Sequence, residues 1–274
     1  MNTYLRTRSV STRAYWDSVA DAYDQDFEST LIGQLKRAAV WRDLDRVFVS
    51  GQRVLEINCG TGIDALHLAE RGVRVVGCDI SQRMIELAQL RVGSTRFRNA
   101  VEFRTLATEE IARLAGEQGR FDGAFSNFSG LNCVEDLRTV SRNLSQLLHP
   151  GGRVLFCMLG RFVPWDIVWF GVHGEFRRAL RRLSGPTTRA VPGGTLNVAY
   201  PSANQIAEKF AEHFSLRRFS GIGICVPPSY MEHWARRFPK AVSAFASADR
   251  LLGSLPGFRS MADCILLELE HRRN

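Results

Sequence analysis

Apolar positions along the chain change period near residue 50. From 12 to 47 they recur at helical spacing, with Tyr15, Trp16, Val19, Ala20 and Tyr23 in a first stretch and a second from about Thr30 to Val47. Then "RVLEIN" (53–58) alternates and ends in turn residues, as a strand does. The helix "GIDALHLAERG" follows and stops at Gly72. Strand "VRVVGCDI" (73–80) comes next, and Ser81 caps helix "QRMIELAQLRV". The alternation continues through strand "VEFRTL" (101–106), a short helix 108–115, strand "FDGAFSNF" (121–128), helix 134–148 and strand "RVLFCML" (153–159).

Strands alternating with helices imply parallel pairing with helical crossovers. After residue 159 the rhythm breaks, and 160–200 reads as irregular, aromatic and basic. Helix "SANQIAEKFAEHF" (202–214) and strand "LRRFSGIGICV" (216–226) restore it. Residues 227–258 hold two helical pieces, and strand "ADCILLELEH" (262–271) closes the chain. The expected fold class is α/β, a doubly wound, mostly parallel seven-stranded sheet. One domain spans 1–274, with an N-terminal helical cap over 12–47 and lid insertions over 160–200 and 227–258.

Composition narrows the class. No apolar run approaches the ~20 residues of a membrane span. The start "MNTYLRTRSVSTRAYW" has Arg but no apolar stretch, so it reads as a short tail, a transit segment being the other reading. The six cysteines show no C-x-x-C spacing and read as small buried hydrophobes in a reducing cytoplasm. No metal site is expected.

The chemistry gathers around "VLEINCGTGIDA" (54–65). Gly60 and Gly62 let a ligand lie against backbone at the start of a helix. "GTGIDA" satisfies the G-x-G-x-x-A fingerprint of dinucleotide binders, with Asp79 placed for a ribose. A nicotinamide enzyme and other nucleoside binders both fit. Glu56 favours the latter, since an acid there would repel a pyrophosphate and suit an amino-bearing ligand.

At this point the residues resemble a family. "VLEINCGTG", "VVGCDIS", "FDGAFSNFSGLNCVED" and "LLHPGGRVLFCML" are similar, in this order, to the motifs of class I S-adenosylmethionine-dependent methyltransferases, and "AYWDSVADAYDQDF" to the helix preceding the core in their small-molecule branch. The resemblance covers about residues 12–159. It implies S-adenosylmethionine as cofactor and S-adenosylhomocysteine as product. Gly60, Thr61 and Gly62 would pass under the cofactor, with Glu56 and Asn58 at its amino-acid end. Asp79 would accept from both ribose hydroxyls, Ile80 and Met84 would flank the adenine, Asn127 would lie beside the methionine moiety, and Tyr23 would close the site. Many relatives carry an acid after the third strand for the adenine amino group. Here Leu106 and Ala107 stand there, leaving backbone groups or Thr108.

Both insertions leave strands at their carboxyl ends, so a lid over the site is expected. "FVPWDIVWFGVHGEF" suggests an apolar wall for a hydrophobic acceptor, with Trp165, Trp169, Phe170, His173, Tyr200 and Tyr230 as candidate contacts. His173 is the first candidate general base and His233 the second. His67 reads as structural and His149 as exposed. The net charge of +8 and the run Arg177, Arg178, Arg181, Arg182 beside the tryptophans admit a solvated helix, an anionic lipid surface or nucleic acid, in that order. "SNFSG" lacks the N-P-P-Y sequence of many nitrogen methyltransferases, and no Pro-Cys pair is present, which disfavours a nucleic-acid substrate. The expectation is cytoplasmic methylation of a hydrophobic small molecule such as a secondary metabolite, quinone or lipid precursor, at oxygen before carbon or nitrogen. The alternatives are a non-catalytic cofactor-binding module, an RNA methyltransferase or an NAD-dependent oxidoreductase. Nothing in the sequence sets the oligomeric state.

Overall fold

The computed structural model describes residues 3–116, 120–191 and 194–273, with side chains placed outside 3–11 and 189–195. Helix α1 (Thr3–Tyr23) runs through a wider turn, Asp24–Glu28, toward α2 (Leu31–Val47). Thr30 caps α2, its hydroxyl accepting from Gly33 N–H at 3.0 Å. The core then alternates β1 (Arg53–Ile57), α3 (Ile63–Ala69), β2 (Arg74–Asp79), α4 (Gln82–Gly93), β3 (Val101–Thr105), a tight turn Thr108–Leu114, β4 (Phe121–Ser126), α5 (Leu137–Leu147) and β5 (Leu148–Leu159). Strand β5 starts earlier than the sequence predicts, and α5 later, with Asp136 as its cap.

Residues 160–200 are more ordered than expected. They form α6 (Pro164–Val172), the single turn α7 (Phe176–Ala179) and the hairpin β6 (Thr187–Val191)–β7 (Gly194–Val198). Proline at the first helical position starts α6. Its sequence is apolar on nearly every side, which hid the helical period. The chain continues through α8 (Ala203–Phe210), β8 (Phe214–Ile222), α9 (Glu232–Arg237), α10 (Pro239–Leu252) and β9 (Cys264–His271).

The seven-stranded sheet has the order β3-β2-β1-β4-β5-β9-β8. Only β9 runs antiparallel to its neighbours, pairing Leu159 with Cys264 and Ile222 with Cys264 on its two sides. Both insertions therefore leave the sheet at one edge, the carboxyl ends of β5 and β8. Alternate strand residues feed two cores. Leu55, Ile57, Val76 and Phe156 pack with α5 and α8, while Val54, Val75, Phe125 and Leu155 pack with α2 and α3. Glu56 has the parity of Val54 and so points toward α2 and α3. None of the six cysteines forms a disulfide. His67 stacks on Trp41 at 3.8 Å and bonds Asp45 at 2.7 Å, a structural role.

Candidate active site

Beyond β1 the chain folds back through three left-handed positions, Asn58, Gly60 and Gly62, at φ 59°, 51° and 76°. The two glycines serve different needs. A Cβ on Gly62 would lie 2.8 Å from the Phe103 ring and 2.9 Å from Ala88, so Gly62 is needed for packing. A Cβ on Gly60 would meet nothing within 4 Å, so open space lies above that backbone. The turn is braced from outside. Thr61 Oγ1 donates to Asp24 at 2.7 Å, while Arg91 donates to Thr61 O at 2.8 Å and pairs with Asp24.

At the end of β2, Asp79 accepts from Gly60 N–H at 3.0 Å and from Ser81 N–H at 2.9 Å. A carboxylate has about four acceptor sites, so capacity remains for ribose hydroxyls. Burial raises its pKa to about 6 against the opposing Ser81 and Gly60 N–H bonds, and Asp17 adds repulsion. Ile80 and Met84 are buried beside it. Leu106 N–H donates to the Asp79 carbonyl at 2.8 Å, Ala107 is buried, and the Thr108 hydroxyl accepts from Asn58 at 2.9 Å.

A second cluster sits at the end of β4. Asn127 Nδ2 donates to Asp64 at 2.8 Å, and Asp64 also accepts from Trp41 Nε1 at 2.6 Å and Arg37 at 2.5 Å. Arg37 pairs in addition with Glu28 and lies 4.7 Å over the Phe128 ring. Burial opposes charge on both Arg37 and Asp64, but their pairing outweighs it and both remain ionised. Burial pushes the Tyr23 phenol up, with Arg37 opposing. Burial, then Asp64, holds the Glu56 carboxyl well above the usual carboxylate range. Phe128 and Ser129 adopt φ 46° and 66°, strain that clamps this corner.

Two buried polar atoms here have no partner, Glu56 Oε2 and Arg37 Nε. An amino-acid zwitterion would answer both, its ammonium facing the acids and its carboxylate the guanidinium. With the open space above Gly60, these residues fit a nucleoside amino acid. Sequence reading missed Arg37 and Asp64. The available signal was "LKRAAVW", two cations amid the apolar pattern of α2.

A cavity of about 380 Å³ lies beneath α1, next to this corner through Tyr23 and Phe128. Tyr15, Trp16, Tyr23 and Phe27 form one wall, and Phe128 and Leu159 the floor. At the far end Lys36 donates to Asp263 at 2.5 Å, and Arg182 bridges Asp263 and Asp166 at 2.6 and 3.0 Å. Burial raises the Asp263 pKa, but Lys36 and Arg182 outweigh it and hold the carboxyl below its usual range.

The aromatic wall therefore comes from the N-terminal helix rather than from 162–176. Trp165 and Trp169 pack into the lid's own core with Ile32, Val226 and Met231, and Trp165 Nε1 donates to Ile224 O at 3.1 Å. Phe170 is buried against Tyr230 at 5.0 Å. Tyr200 is buried with Leu196 and Val198. Of the predicted substrate contacts, Tyr230 alone lines the cavity, its hydroxyl donating to Asp166 at 3.0 Å. His173 is exposed at the end of α6, its Nδ1 2.6 Å from the Trp169 carbonyl, and His233 is exposed on α9. Neither histidine lines the cavity, so the structure supports neither as a base. Among the described residues no cluster could hold a metal ion, and no helix is long and apolar enough to cross a membrane.

Residues 54–152 match the methyltransferase domain family, in keeping with the class I S-adenosylmethionine-dependent methyltransferases that the motifs resemble. It is 28% identical over 225 residues to a demethylmenaquinone methyltransferase of Symbiobacterium thermophilum, across 73% of this chain and 82% of that one. It is 31% identical over 141 residues to the tRNA 5-carboxymethoxyuridine methyltransferase of Escherichia coli K12, across 50% of this chain and 53% of that one. The chain thus spans most of the first relative and about half of the second. Among solved structures, the CcbJ methyltransferase of Streptomyces caelestis superposes with a TM-score of 0.60 at 17% identity, across 94% of this chain and 98% of that one, a likeness of fold. The cofactor is S-adenosylmethionine, which carries a methyl group already activated for displacement.

Proposed function

We propose that the protein methylates a hydrophobic small molecule, preferably at oxygen, by in-line displacement in the cavity under α1. The cavity carries the reading. It adjoins the Arg37–Asp64–Asn127 corner, is walled by aromatic rings and has acceptor size. A non-catalytic module would have no need of that space. The protein's part is to align the acceptor and exclude water.

No histidine lines the cavity. Tyr23 holds its proton tightly, and Asp263 is committed to Lys36 and Arg182. An acceptor that readily releases its own proton, such as a phenol or quinol, suits this lining best. Carbon and nitrogen acceptors rank behind oxygen. The similarity to a demethylmenaquinone methyltransferase agrees with a quinone-like ring. A cytoplasmic location fits a biosynthetic role of this kind.

One observation favours a second reading, the similarity to a tRNA methyltransferase in a chain of net charge +8. Methyl transfer from labelled cofactor to a panel of phenols, quinols and carboxylic acids, run beside bulk tRNA, separates the two. Label in a phenol or quinol supports the proposal. Label in tRNA alone, with salt-dependent binding, overturns it.

A further inference from the structure

Helices α6 and α7 bury one side and leave the other bare. Trp165, Trp169 and Phe170 face inward. Val168 and Val172, four apart on α6, are 61% and 76% exposed, and Phe176 and Leu180, four apart on the α7 turn, are 68% and 47% exposed. Four large apolar side chains so close in sequence differ from the singly scattered ones of an ordinary surface.

The charge around them is net positive. The segment holds five arginines, Arg161, Arg177, Arg178, Arg181 and Arg182, against Asp166 and Glu175. Asp166 is buried and taken by Arg181 and Arg182. Glu175 pairs with Arg178 at 2.6 Å, and Arg178 lies 4.4 Å over the Phe170 ring. Arg161 and Arg177 have no carboxylate partner among the described residues. Phe176, Leu180, Arg177 and Arg181 share one surface groove, and Arg181 also lines the cavity under α1. The groove and the cavity thus meet at one side chain.

We propose that the outer face of α6 and α7 docks on an anionic lipid bilayer. The apolar side chains would enter the boundary between headgroups and acyl chains, with the arginines at the phosphates. The charge selects this partner, since a second copy of the chain would bring the same positive face. A sparingly soluble acceptor would meet the enzyme there, but docking does not depend on that acceptor.

The test is co-sedimentation of the full chain with vesicles of phosphatidylcholine alone and with increasing phosphatidylglycerol. Binding should rise with the phosphatidylglycerol fraction and weaken with salt. Phe176→Asp with Leu180→Asp should lower the partition coefficient at least ten-fold, since each removes a large apolar group. Arg177→Gln should lower it about five-fold, the effect of one charge near such a surface. S-adenosylhomocysteine binding should be unchanged in all variants, showing an intact fold. Equal binding to both vesicle types, no binding at low salt, or full binding by the aspartate variants would each overturn the proposal. So would a wild-type dimer that the aspartate variants dissociate, or displacement by tRNA that Phe176 and Leu180 do not affect. Failure of every acceptor tested for methylation would overturn the proposed substrate and leave docking standing.

Discussion

Asp17 of α1 caps the N-terminus of α4 from a distance of sixty-four residues in sequence, accepting from Ser81 Oγ at 2.6 Å and from Arg83 N–H at 3.1 Å. Asp21, one turn on, pairs with the Arg83 guanidinium at 2.7 Å. Helix α1 is thereby clasped beside Asp79 and over the cavity, where Tyr15, Trp16 and Tyr23 form the wall.

Asp17→Ala should therefore loosen α1 more than it unfolds the protein. A lost cap costs about 0.5–2 kcal/mol. Hydrogen exchange should speed up across 12–23 while the β1 and β4 amides stay protected, and S-adenosylhomocysteine should bind several-fold more weakly. Unchanged exchange in α1 would count against the clasp.

Asp79 supplies a pH dependence. Its folded pKa is raised, so ionising it opposes folding of the free protein, and the stability it contributes below the unfolded value near 4 is lost as pH rises through about 6. Cofactor binding has the opposite sign, because ribose hydroxyls need the ionised acceptor. Titration calorimetry with S-adenosylhomocysteine should show affinity falling as pH drops below about 6. In Asp79→Ala that dependence should vanish, with affinity reduced by about 1.5–3 kcal/mol per charged hydrogen bond lost.

Arg37→Met should be severe. It leaves Asp64 and Glu28 without their cation in a buried corner, and breaking such a pair from one side costs about 3–5 kcal/mol. The urea midpoint should fall sharply. A midpoint near wild type would show that water reaches Asp64 and that the corner is looser than its burial implies.

His173→Ala and His233→Ala should leave turnover unchanged with any acceptor found. Both rings are exposed and outside the cavity lining. A large fall in kcat for either would mean that the insertion moves over the site during the reaction.

The core of this fold was legible because its signals are local. Alternation in "VLEI" and "VRVV", the cap at Ser81 and the glycine turn each lie within a dozen residues. The acceptor site was less legible because its parts meet only in space. The tryptophans of 162–176 looked like a substrate wall, yet an aromatic can serve a lid's own packing equally well, and Trp165 and Trp169 do so against Ile32 and Met231. Tyr15 and Trp16, which do line the cavity, carried only a helical period. Lys36 and Asp263 come from opposite ends of the chain, and no sequence spacing relates them.

The glycine turn yields the sharpest contrast between two neighbouring changes. Both Gly60 and Gly62 hold positive φ, so Ala at either costs about 1–2 kcal/mol of backbone strain. At Gly62 the added carbon also strikes the half-buried Phe103 ring and the buried Ala88, and the overpacking adds about 1–3 kcal/mol. At Gly60 it projects into open space, the volume proposed here for the cofactor. Gly62→Ala should therefore lose the more stability in denaturant titration. Gly60→Ala should fold with a smaller loss but bind S-adenosylhomocysteine much more weakly. If Gly60→Ala binds it as wild type does, the cofactor does not lie against that backbone.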